Sequence, residues 1–348
     1  MFDLDVDAKV GFLSRASAYP ERPRRVEVIE THFSWVFLTE QHVYKLKKPL
    51  RGDSFDFTGI AARRHNAKGE VCLNRRLAGD IYLGVVPLTQ EADGRLAITG
   101  NGAIVDWLVQ MVRLPAGRML DRCLADGSWR PADIRALGDR LARFYATAAP
   151  ANEAPQRYLR RFAHECSASL REFAIIARPE LQNAAARIVR RLRAFMRRRS
   201  NLLERRVRER RIIEGHGDLR PEHVWLGRPV RIIDCLELRR ELRLLDPVDE
   251  IAFLAMECAR LGAPQIERIL FERYRLRTGD APPQALVRFY KGVRALIRAR
   301  IAICHLKDPD VRDPAKWLRR AADYLALAER ESSELSREVR HEPASVRA

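Results

Sequence analysis

Two short motifs constrain this chain more than anything else in it: His216-Gly217-Asp218-Leu219 and Ile232-Ile233-Asp234. Between them lie two β-type runs, His223–Leu226 and Val230–Asp234, with Gly227-Arg228-Pro229 as the turn. A tight loop followed by a short hairpin can bring Asp218 and Asp234 to one cleft. An apolar run ending in Asp is common by chance, and each Asp taken alone could simply cap a turn or end a strand. HGDL followed by IIDC after a strand pair is a far more specific pattern. Phosphoryl transfer needs one carboxylate beside the acceptor hydroxyl and another holding Mg²⁺ on nucleotide phosphates. Asp218 fits the base-like role and Asp234 the metal role.

The pattern around these motifs is ordered. Residues 1–20 read as a short helix ending at Pro20. Val26–Leu38 and His42–Leu46 read as a hairpin joined by Thr39-Glu40-Gln41. Residues 60–78 have helical periodicity, and Leu83–Thr89, Leu96–Ile98 and Ile104–Val112 read as strands with Asp93-Gly94 and Asn101-Gly102 turns. After Pro115 the character changes, and helical patterns cover 131–148, 157–176, 180–211, 249–260, 264–276, 282–306 and 314–333. A β-rich part followed by a helical part, with one hairpin set among the helices, predicts an α+β chain. The expected division is an N-lobe at 1–112, a C-lobe at 113–333 and a disordered tail at 334–348.

Composition narrows the setting. With 348 residues the chain is too long for one small core, and 47% hydrophobic residues exclude global disorder. Its apolar stretches are short and interrupted by Arg, and the acidic stretch Met1–Asp7 does not resemble a secretory signal. The six Cys are scattered without a CxxC pair, as expected of reduced thiols in a cytoplasmic protein. The net charge is +18, and Arg157–Arg211 holds 17 Arg against 5 Glu. Such a stretch suits a polyanionic partner such as nucleic acid. It equally suits a solvated face in a chain that prefers Arg, since only 8 of the 64 Lys plus Arg are Lys. No helix-turn-helix or zinc-finger pattern supports the nucleic-acid reading.

The sequence resembles the aminoglycoside phosphotransferase-like branch of the protein-kinase-like fold, which carries HGD where protein kinases carry HRD. More narrowly it is similar to a bacterial group whose kinase-like domain is often fused to a P-loop ATP-binding domain. No GxxxxGK[ST] motif occurs in this sequence, so the resemblance is expected to hold without that domain. The matching segments are ETHFSWVFL (30–38), VYKLKKP (43–49), LNRRLAGDIYLGVVPL (73–88), VRLPAGRMLDRCL (112–124), HGDLRPEHVWL (216–226), DCLEL (234–238) and DPVDEIAFLAMEC (246–258), with RALIRARIA (294–302) as an extension. The resemblance implies that Lys45 is the phosphate-binding lysine of the third strand and Glu70 its helix partner. Lys47 shares the face of Lys45, so a register shifted by two residues remains open. Thr31, His32 and Ser34 would sit at the tip of the phosphate loop, although Glu30–Val36 contains no Gly. Gln110–Leu114, with Met111 and Arg113, would be the adenine-binding hinge. Asp249 would cap the helix after Pro247 and brace the catalytic loop.

One position departs from the pattern. Kinases place a metal-binding Asn five residues after the catalytic Asp. Here that residue is His223, and Arg220 and Pro221 also differ from the usual HGDLHxGN. Imidazole is a poor ligand for Mg²⁺ and a better one for Mn²⁺ or Zn²⁺. The site could therefore use one metal on Asp234, recruit Glu222 or Glu237, or bind nucleotide without efficient turnover; His223 could also merely pack. The expected function is ATP-dependent transfer to a hydroxyl of a small molecule, with Mg²⁺ or Mn²⁺. A nucleotide-binding pseudoenzyme or sensor is the first alternative and a basic nucleic-acid-associated protein the second. Aminoglycosides are polycations and prefer acidic pockets, so the Arg-rich stretch favours a neutral or anionic acceptor.

Overall fold

The computed structural model describes residues 5–52, 55–307, 311 and 313–341. In chain order the elements are α1 (Val6–Leu13), β1 (Glu27–Glu30), β2 (Ser34–Leu38), β3 (His42–Lys47), β4 (Arg51–Gly52), β5 (Phe55–Asp56), α2 (Ile60–Ala78), β6 (Tyr82–Gln90), β7 (Leu96–Ile98), β8 (Ala103–Val112) and α3 (Leu120–Ala125). There follow α4 (Pro131–Thr147), α5 (Pro155–Ile175), α6 (Pro179–Arg198), α7 (Ser200–Arg208), β9 (Ile213–Glu214), β10 (Val224–Trp225), β11 (Arg231–Ile232) and β12 (Leu244–Leu245). The chain closes with α8 (Pro247–Arg260), α9 (Ile266–Thr278), α10 (Gln284–Cys304) and α11 (Pro314–His341).

Two compact units result. One comprises Met1–Ser128 with His216–Arg243, the other Trp129–Gly215 with Leu244–Ala348. The first unit therefore runs past the boundary expected at 112 and takes in the hairpin that carries both motifs. The physical reason is local bonding. The Cys235 N–H donates to Asn74 Oδ1 of α2 at 2.8 Å, and the Asp234 N–H to the Tyr82 hydroxyl of β6 at 3.2 Å. The Leu226 N–H donates to the Arg118 carbonyl at 2.8 Å, and Arg118 Nε donates back to the Leu226 carbonyl at 2.9 Å, beside the Met119–Trp225 bridge.

The first unit is built on a six-stranded antiparallel sheet in the order β1-β2-β3-β8-β6-β7. Tyr19, Phe37, Tyr44, Leu46 and Leu108 are buried on one side of it, and α2 packs on β6 and β8 through Ala67, Val71 and Tyr82. A buried ionic triad fixes α2. Asp106 of β8 accepts from Arg63 at 2.9 Å through both oxygens and from Lys9 of α1 at 3.0 Å. Ion pairs this dry hold geometry chiefly because breaking them strands a charge.

The second unit is mainly helical, with α10 against α11 and α8, and α4 against α9. Arg206 sits buried between Asp246 and Asp280, so part of the Arg-rich stretch braces the interior. The segment predicted as one helix over 180–211 breaks at Arg199 into α6 and α7. The cap of α8 is Asp246, which accepts from the Val248 N–H at 3.0 Å. This corrects the expectation for Asp249, which instead pairs with Arg294 at 2.7 and 2.9 Å. Helix α11 runs to His341, through the first part of the expected tail; 342–348 lie outside the described residues. No helix among the described residues is long and apolar enough to cross a membrane.

Candidate active site

The site is built on β3. Register with β2 and β8 pairs Lys45 with Val36 on one side and Val109 on the other, and strand alternation sends Lys45 and Lys47 to the same face. Both ammonium groups reach Glu70 of α2. Lys45 Nζ lies 3.0 Å from Oε1, and Lys47 Nζ lies 2.5 Å from Oε2. Lys45 also lies 3.0 Å from Asp234 Oδ1, whereas Lys47 lies 2.6 Å from Glu237 Oε1. Lys45 is thus the lysine that meets Asp234, while Lys47 is closed off from solvent at 1% exposure.

These contacts set the protonation states. Burial alone would lower the Lys45 pKa, but Asp234, Glu70 and Glu237 hold it well above the usual lysine value. Burial alone would raise Glu70, but Lys45 and Lys47 outweigh it and keep the carboxylate ionised. Asp234 behaves likewise: burial opposes ionisation, and Lys45 outweighs it and holds its carboxyl well below the usual range. Its carboxylate remains 46% exposed, the open end of this arrangement.

The loop carrying Asp218 turns at Gly217, whose φ of 88° places it in the left-handed region. The φ is what calls for glycine; a Cβ there would also sit tightly, 3.2 Å from both Arg243 Cγ and Leu236 Cβ. Asp234 itself has φ of 60°, a conformation that Asp tolerates better than most residues and that aims its carboxylate off the strand. His216 is buried, and its Nε2 donates to the Ile233 carbonyl at 2.8 Å. Burial lowers its pKa to about 4, so it is a neutral brace between the two motifs.

His223 connects the two carboxylates. Its Nδ1 donates to the Asp218 carbonyl at 2.8 Å, and its Nε2 accepts from Arg220 Nη2 at 3.2 Å. That same Nε2 is 3.5 Å from Asp234 Oδ2, and Nδ1 is 3.9 Å from Asp218 Oδ2. Arg220 donates to Asp218 Oδ2 at 3.0 Å and also holds Glu222. Glu222 and Glu237, the two oxygens considered as substitutes at the metal, are thus each engaged by a cation, Arg220 and Lys47. Among the described residues no cluster of three or more His, Cys, Asp or Glu could hold a metal alone.

Three expected nucleotide contacts fall differently. Ser34 is not at a loop tip. It is the first residue of β2, fully buried, because the Thr31 hydroxyl closes the turn on Ser34 backbone groups at 2.8 and 3.0 Å. Arg113 turns away from the hinge: its N–H donates to Gln41 O at 2.8 Å and its guanidinium to Thr39 O at 2.6 Å. Met111 is buried in β8, but partly buried Val43, Leu114 and Ile233 lie against its cluster and offer an apolar surface beside Lys45. Leu114 closes the expected hinge and Ile233 stands in the motif before Asp234, but neither of them, nor Val43, was expected as an apolar nucleotide contact; the apolar residue two before Lys45 and the one before Asp234 were the available signals.

No family model matches the chain. Uncharacterized proteins of Mycobacterium tuberculosis and Mycobacterium bovis are 31% identical to it over 282 residues, covering 79% of this chain and 54% of theirs. The chain spans about half the length of the curated relatives it matches. Among solved structures, a choline/ethanolamine kinase family protein from Mesorhizobium loti superposes with a TM-score of 0.54 over 94% of this chain and 98% of that one, at 14% identity. A choline kinase from Cryptosporidium parvum gives 0.56 over 96% and 97%, at 9% identity. The chain has the protein-kinase-like fold, with a β-rich unit and a larger, mainly helical one. The aminoglycoside phosphotransferase-like reading of the motifs is supported at the level of that fold.

Proposed function

We propose that the chain is an ATP-dependent phosphotransferase that moves the terminal phosphoryl group to a hydroxyl of a small molecule. The observation that carries this reading is the continuous set Glu70–Lys45–Asp234–His223–Asp218, each member within 4 Å of the next. In this reading Lys45 binds the nucleotide phosphates, and Glu70 fixes its head. Asp218 takes the proton of the acceptor hydroxyl as the new oxygen–phosphorus bond forms and the bond to the nucleotide diphosphate breaks. Arg220 orients the Asp218 carboxylate. Asp234, with His223 Nε2 3.5 Å from its Oδ2, fits a divalent cation that takes its other ligands from phosphate and water. That cation would neutralise charge on the phosphates. Val43, Leu114 and Ile233 suit an adenine face. The guanidinium of Arg220 puts positive charge at the base itself, which supports a neutral or anionic acceptor over an aminoglycoside.

The test is metal-dependent ATP binding and turnover, measured as transfer to a panel of hydroxylated metabolites and as slow ATP hydrolysis. Asp234→Ala is expected to abolish metal-dependent binding in a folded protein; unchanged affinity removes Asp234 from the role. A second reading, nucleotide binding without turnover, is favoured by His223 at the usual Asn position and by the closed, Gly-free turn at Thr31–Phe33. Metal-dependent binding with no transfer and no hydrolysis selects it.

A further inference from the structure

The site contains a second lysine that the proposed chemistry does not use. Asp234, Lys45, Glu70, Lys47 and Glu237 form a ladder of alternating charge, with contacts of 3.0, 3.0, 2.5 and 2.6 Å in that order. It runs from the half-open Asp234 through fully buried Glu70 and nearly buried Lys47 to Glu237 at 11% exposure. Glu70 has one oxygen on each lysine, so the two ammonium groups share a single carboxylate at the centre. Lys47 cannot turn to water for compensation, because β3 pairs with β2 and β8 on either side of it and holds its direction.

Glu237 is brought to Lys47 by the backbone that follows Asp234. The Cys235 N–H is fixed on Asn74, and the Leu236 N–H on the His216 carbonyl at 3.0 Å. The segment is therefore anchored both to α2 and to the HGD loop, and Glu237 reaches β3 from it. Charges this close in a poorly screened interior couple strongly.

We infer that Lys47 and Glu237 are positioning residues for the nucleotide site: Glu237 takes up the charge of Lys47, which leaves Glu70 able to hold Lys45 in place for phosphate. Without Glu237, Lys47 is left with Glu70 alone, while Lys45 still shares Glu70 with Asp234. Lys47, two residues along the same rigid strand, draws the Glu70 carboxylate toward itself. Lys45 is then left to Asp234, and a tighter Lys45–Asp234 pair competes with the metal for that carboxylate. The ladder also links the seating of segment 235–237 to the readiness of Lys45. This inference rests on the phosphotransferase reading.

The experiment is a double-mutant cycle on the whole chain, with Glu237→Gln, Lys47→Met and the pair, read by the affinity of Mg²⁺·ATP for each folded variant. Thermal melts confirm folding and report stability separately. Glu237→Gln keeps an oxygen that can accept from Lys47, so the fold is retained, and binding is expected to weaken about tenfold. Lys47→Met on that background removes the surplus cation and is expected to restore affinity to within about threefold of wild type. A double variant that binds no better than Glu237→Gln overturns the inference, since a purely structural pair only adds damage. Wild-type protein that binds no nucleotide with any divalent metal overturns the phosphotransferase reading, and the inference with it. Those two failures are read from different samples.

Discussion

Glu70→Gln tests the centre of the site most directly. Glu70 is fully buried with one oxygen on each lysine, and its replacement keeps shape while removing the charge. Removing one partner of a buried ion pair costs about 3–5 kcal/mol. Here each lysine keeps a second carboxylate, Asp234 or Glu237, so the lower end applies, about 3 kcal/mol. In a cooperative unit of about 150–250 residues that lowers Tm by roughly 6–12 °C. The pH dependence gives a second reading. Burial opposes ionisation of Glu70, but the lysines win, so its pKa in the folded chain lies below the ordinary value. A depressed carboxylate stabilises above its unfolded pKa, about 4.3, and that contribution is lost as pH falls through the folded value. Glu70→Gln should thus show the largest Tm deficit at neutral pH, shrinking on acidification. The assay is a set of melts from neutral to acid pH with nucleotide titrations alongside, in which Mg²⁺·ATP affinity also falls as Lys45 loses its fixed partner. A Tm within about 2 °C of wild type at neutral pH would refute the reasoning, since by this scale it corresponds to less than about 1 kcal/mol.

Asp218→Asn is expected to lower kcat by at least a hundredfold with less than a threefold change in ATP affinity, because its carboxylate would act on the acceptor hydroxyl; an equal loss in both parameters would move Asp218 to the nucleotide. His223→Asn is expected to shift metal preference toward Mg²⁺, since an amide oxygen replaces an imidazole nitrogen beside Asp234. The ratio of rates with Mg²⁺ and Mn²⁺ measures it, and an unchanged ratio returns His223 to a purely packing role.

Most of the fold was legible because its signals are local. The apolar period of 60–78 marks α2 to the residue, and the β-type runs locate β6, β7 and β8 within a residue or so of their ends. By its β-type residues Val26–Leu38 reads as one run, and only the resemblance set a turn within it, because the break at Thr31–Phe33 uses a hydroxyl on backbone groups and no Gly or Pro. The break at Arg199 was hidden in the same way, by Arg residues that favour helix on both sides. Asp246 could have been preferred as the cap, since Pro247 marks the first helical position and the cap precedes it. In the site, Asp218 and Asp234 were reachable from motif order, and Lys45 and Glu70 from the family resemblance. The engagement of Glu237 by Lys47 was not, since it joins residues 190 positions apart and depends on which strand face meets α2.

His223 shows why the unusual residue is compatible with the usual loop. Closing the loop requires a donor to the Asp218 carbonyl, and the Nδ1–H supplies it at 2.8 Å. That bond fixes the tautomer, so Nε2 carries the lone pair and points it where Arg220 Nη2 and Asp234 Oδ2 lie at 3.2 and 3.5 Å. A lone pair so placed can accept from a guanidinium or bind a cation, but it cannot do both. A cation held by Asp234 and His223 together must therefore release Arg220 Nη2, while Nε of the same guanidinium still holds Asp218 Oδ2. In the phosphotransferase reading, metal at Asp234 and orientation of the Asp218 carboxylate would in this way be joined through one imidazole and one arginine.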